Sequence, residues 1–114
     1  MIEFDVYAND LESIRKSVKA AGEALHVDHM REQIDELTEE MNQPEFWNDV
    51  DRSTKVNQKL GTLKNRLGHY EKLLSTADDI EVMMDLAKEE NDEEMGEEIG
   101  IELTRLKEQA EALE

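Results

Sequence analysis

The chain has 114 residues, with 13 Lys and Arg against 30 Asp and Glu, for a formal net charge of −17. A surface that acidic repels phosphate backbones instead of releasing their counterions, which argues against a direct grip on nucleic acid. Only 4% of the residues are aromatic and none is Cys, so the core is built from Leu, Ile, Val, Met and Ala, without disulfides or thiolate metal sites. The opening MIEFDVYAND has neither a basic region nor an apolar run, and no stretch approaches the ~18 apolar residues of a membrane span. The expectation is one soluble, cytoplasmic domain with no cofactor.

Taken in chain order, the first apolar stripe runs through Leu11, Ile14, Val18, Ala21 and Leu25. Its phase would carry it onto Asp28 and Glu32, so a break between Gly22 and Asp28 is expected before the next stripe, Val27, Met30, Ile34, Leu37 and Met41. Gln43-Pro44 ends that second helix, because the residue before Pro is steered away from helical angles and Pro has no N–H to donate. Asn48, Asp49 and Asp51 offer caps to the helix that follows.

The strongest periodic signal comes next. Val56, Leu60, Leu63, Leu67, Tyr70, Leu74 and Ala77 alternate steps of four and three, as on a helix packed lengthwise against a partner. Ile80, Met83, Met84 and Ala87 either continue that helix or follow a kink between Ser75 and Asp79. Lys88 to Asp92 reads as a polar turn with Asp92 as N-cap, opening a last stripe of Ile99, Leu103, Leu106, Ala110 and Leu113. These stripes specify an all-α fold. The expected architecture is an elongated antiparallel bundle, or coiled coil, of residues 29–42, 50–90 and 92–113, with an N-terminal helix at 11–25.

The stretch QPEFWNDV holds the only Pro and the only Trp of the chain. A turn between antiparallel helices leaves one end of the apolar seam open, and Phe46 and Trp47 have the surface to plug it, at about 2–3 kcal/mol or more each when buried. Other constellations are weaker. His26 and His29 supply two imidazoles three residues apart but no further ligand, and are read as exposed or capping groups. His69 has no partner that would make a nucleophile, and the run ENDEEMGEE lacks the ligand spacing of a calcium loop. Gly61 and Gly68 interrupt the best helix on one face, each at a cost of about 1 kcal/mol relative to Ala. They mark either the close approach of another helix or partner, or mere tolerance in a well-packed helix.

The order of these features is similar to the N-terminal domain of the bacterial class I peptide chain release factors. QPEFWNDVDRSTKVNQKLGTLKNRL, preceded by REQIDELTEEM and followed by YEKLLSTADDIEVMMDLAKEENDEEM, carries the resemblance over essentially the whole chain. Its most specific part is Pro44, Phe46, Trp47 and Asn48 in the turn, a pattern that resembles the release factor 2 branch more than its sister branch. The resemblance implies a whole factor that recognises the stop codons UAA and UGA on the ribosome and promotes peptidyl-tRNA hydrolysis. The family reads codons with Ser-Pro-Phe and hydrolyses with Gly-Gly-Gln. Neither tripeptide occurs here, so no catalytic residue is assigned.

By the same resemblance, this chain is a first domain without the codon-recognition and hydrolysis domains, itself not an enzyme. Its implied partners are the stalk base of the large ribosomal subunit and the remaining domains of the factor, with no direct nucleic-acid binding and no membrane. The competing reading is a free-standing, self-associating helical adaptor, which would melt at a concentration-dependent midpoint.

Overall fold

The computed structural model describes residues 4–113, which form four helices. They are α1 (Phe4–Ala24), α2 (Val27–Met41), α3 (Val50–Glu90) and α4 (Glu93–Leu113). A single 3₁₀ turn, Phe46–Asn48, joins α2 to α3. The molecule measures 64 × 24 × 17 Å, and its length is set by α3, whose 41 residues span about 60 Å at 1.5 Å per residue.

Each break has a local cause. His26 adopts left-handed angles (φ 57°, ψ 52°), which ends α1 and lets its carbonyl start α2 by accepting from the Met30 N–H. Asn91, also left-handed (φ 53°, ψ 44°), closes α3 in the manner of a helix C-cap. Asp92 then caps α4, its carboxylate accepting from the Met95 N–H at 3.1 Å. Between Ser75 and Asp79 the helix is unbroken, which decides the question that its polar residues raised.

Two bodies of packing divide the length of α3. Near the α2–α3 connection, α3 pairs with α2 in a two-helix hairpin. Toward its C-terminus, α1 and α4 close on it as a three-helix bundle. The bundle core includes Leu11, Val18, Ile80, Ile99, Leu103 and Leu106, of which Ile99 and Leu106 are wholly buried. Phe4 and Tyr7 also pack on this core, so α1 begins well before the Leu11 at which its apolar stripe starts.

The seam on α3 changes stripe where its partner changes. Val56, Leu60, Leu63, Tyr70 and Ala77 are buried as the spacing anticipates, but Leu67 and Leu74 are only half-buried. Leu73 is buried in place of Leu74, and from it the buried line runs through Ala77, which both lines share, to Ile80, Met84 and Ala87. A helix packed on one side in one half and on another side in the other half must rotate its apolar face, and the 73/74 step is where it does so.

Candidate interaction surface

The distinctive QPEFWNDV stretch lies at the tip of the hairpin, and its residues divide sharply. Phe46 is buried against Val56 and Leu60, with Ile34, Leu37 and Met41 around it, and it closes the open end of the α2–α3 seam. Trp47 does not join it. The indole is 56% exposed and meets Phe46 edge to face, with ring centroids 4.9 Å apart. Successive residues of a 3₁₀ turn point about 120° apart, so once Phe46 takes the seam, Trp47 must face outward. The expectation of a double aromatic plug is thus corrected to a single one. Pro44 and Asn48 are exposed on the same turn, and Val50, 70% exposed, stands beside them.

Polar bonds fix this tip. The Asp49 carboxylate is the N-cap of α3 and accepts from the Arg52 N–H at 3.0 Å. The Arg52 guanidinium reaches across to α2 and donates to both oxygens of Glu40, at 2.6 and 2.7 Å. That two-pronged pair holds the Glu40 carboxyl below its ordinary value and raises Arg52. Sequence spacing gives no sign of this cross-helix clamp, since its partners are twelve residues apart across a turn.

The other candidates fall elsewhere. A β-carbon at Gly61 or Gly68 would meet nothing within 4 Å, so no other helix of the described chain approaches either one. Closely approached glycines lie on other helices: Gly22 beneath Tyr70 and Gly100 beneath Tyr7, neither singled out by its spacing. His26 is exposed at the α1–α2 break, where its backbone does the capping, and His29 lies 3.8 Å from Glu32. Among the described residues, no group of three or more His, Asp or Glu is arranged to hold a metal ion, and no helix is long and apolar enough to cross a membrane.

This is an all-helical domain with an ordered, aromatic-tipped hairpin projecting from a bundle. Residues 30–114 match the PCRF domain, which covers most of the chain, and the chain belongs to that family. It is similar to the protein named peptide chain release factor 2 of Exiguobacterium sp. (strain ATCC BAA-1283 / AT1b), at 33% identity over 93% of this chain and 29% of that protein. The same-named protein of Saccharopolyspora erythraea is 31% identical over 94% of this chain and 29% of its own length. That of Clostridium perfringens is 28% identical over 99% and 31%. The chain thus spans about three-tenths of the length of these relatives, and the kinship with release factor 2 extends over nearly all of it.

Proposed function

We propose that this chain serves as the N-terminal, non-catalytic module of a translation termination factor that acts on the ribosome in the cytoplasm. The observation that carries this reading is the similarity to release factor 2 proteins over more than nine-tenths of the chain, together with the PCRF match. In the whole factor, codon recognition at UAA and UGA and peptidyl-tRNA hydrolysis belong to domains other than this one. The role of this module is to hold the factor against the base of the large-subunit stalk.

The hairpin tip is the contact we assign to that role. An exposed Trp on a turn held by a buried Phe, a helix cap and an Arg–Glu clamp is a rigid aromatic anchor, and such residues dominate binding energy at protein interfaces. Rigidity matters because a preformed anchor loses little entropy on docking.

The test is an NMR titration of the ¹⁵N-labelled chain with the isolated protein of the ribosomal stalk base at physiological salt. Shifts centred on the Trp47 indole N–H and on Val50 are expected. An unperturbed spectrum at about millimolar partner, where a Kd corresponds to only ~4 kcal/mol, would overturn the assignment.

A further inference from the structure

Between the hairpin and the bundle, Lys55, Lys59, Thr62, Arg66 and His69 follow one another along α3 at alternating steps of four and three, on a face beside the buried line of Val56, Leu63, Tyr70 and Leu73. All five of these residues are exposed. A groove of about 530 Å³ lies beside this face. Its floor is Leu25, Leu73 and Leu113, and Arg66, His69 and Lys72 stand around it.

The charge of this region is opposite to that of the molecule. From Arg52 to Lys72, α3 carries six Lys and Arg and one acid, Glu71, for +5 in a chain of −17. Of those six, only Arg52 is ion-paired among the described residues. Lys55, Lys59, Lys64, Arg66 and Lys72 are thus exposed cations with no carboxylate partner among the described residues.

We propose that the strip and its groove dock an acidic amphipathic helical segment of a partner protein. Apolar side chains of the segment enter over Leu25, Leu73 and Leu113, and its carboxylates meet Arg66, Lys72 and Lys59. Two features select this occupant over an RNA backbone. The apolar floor offers nothing to phosphates, whereas it suits the Leu-sized anchors of a helix laid in a groove. The field of 30 acids opposes a dense polyanion at long range, while a short segment brings few charges and adds apolar burial. This surface is separate from the hairpin tip and does not depend on the tip having a partner.

The experiment titrates the ¹⁵N-labelled chain with a synthetic peptide of about 16 residues, roughly four helical turns, with Leu on one face and Glu on the other. A control peptide keeps the Glu residues and replaces Leu by Ser, and a labelled RNA hairpin provides the polyanion. Shifts are expected at Leu73, Leu113 and Arg66 with the Leu/Glu peptide. Binding is expected to weaken about tenfold in Arg66→Glu/Lys72→Glu but less than about threefold in the equally charged Lys19→Glu/Lys107→Glu. Circular dichroism confirms that both variants fold. Equal binding of the Ser peptide, tighter binding of the RNA hairpin at the same strip, or no shifts with any probe would each overturn the proposal.

Discussion

The ring of Tyr70 on α3 fills the space that a side chain at Gly22 on α1 would need: a β-carbon there would stand 2.6 Å from two ring carbons and 2.7 Å from the hydroxyl. Tyr70 is buried, so the ring has little room to retreat. Gly22→Ala is therefore expected to destabilise the domain by about 1–3 kcal/mol despite the better helix propensity of Ala. Gly61→Ala and Gly68→Ala, which meet open space, are each expected to stabilise it by up to about 1 kcal/mol. Urea denaturation of the three variants checks this ordering, and a loss of stability at Gly61 or Gly68 would contradict it.

The two aromatics of the hairpin tip are expected to separate cleanly. Phe46→Ala removes the plug of the α2–α3 seam and should cost about 3–5 kcal/mol. Trp47→Ala removes a ring that is mostly in water and should change stability by less than about 1 kcal/mol. Quenching of the single Trp by a neutral quencher should be efficient in the folded protein. A shielded indole would show that Trp47 is covered after all.

Much of the fold could be read from spacing, because a helix that buries one side repeats that need every three or four residues. The four helices, the break before Val27, the stop at Pro44 and the Asp92 cap follow from such local rules. What spacing does not carry is which residue of a neighbouring pair faces the partner. Phe46 and Trp47 are equally apolar, and only the 3₁₀ geometry decides between them. Gly22 and Gly100 are ordinary in sequence, since what makes them necessary is a Tyr on another helix. The exposure of the basic strip on α3 likewise depends on packing. A net charge of −17 masks a run from Arg52 to Lys72 with six cations and one acid, and the structure adds that these cations are exposed and that, among the described residues, only Arg52 is ion-paired.

The Glu40–Arg52 clamp gives the hairpin a pH dependence of known sign. The folded Glu40 carboxyl is lowered from its ordinary 4.5, chiefly by the hydrogen bonds from Arg52. A group lowered by folding stabilises fully above its unfolded value, and that contribution is lost as pH falls through the folded one. The stability difference between wild type and Glu40→Gln should therefore be present at neutral pH and shrink as the pH drops below about 4.5. Comparing the two proteins at each pH cancels the general effect of protonating the other carboxylates. A difference that stays constant down to about pH 3 would mean that the pair contributes no pH-linked stability.

Leu73 and Leu74 test the change of stripe on α3. Had α3 kept one seam along its length, Leu74 would continue the line from Val56 through Tyr70, and its truncation would be the more costly. In the structure Leu73 is buried in the bundle core while Leu74 is half-buried beside it. Leu73→Ala is accordingly expected to cost about 2–5 kcal/mol, and Leu74→Ala less, about 1–2 kcal/mol. The comparison is internal, since both substitutions remove the same atoms from adjacent positions of one helix and share nearly the same unfolded state. A reversed order would place the bundle on the other stripe.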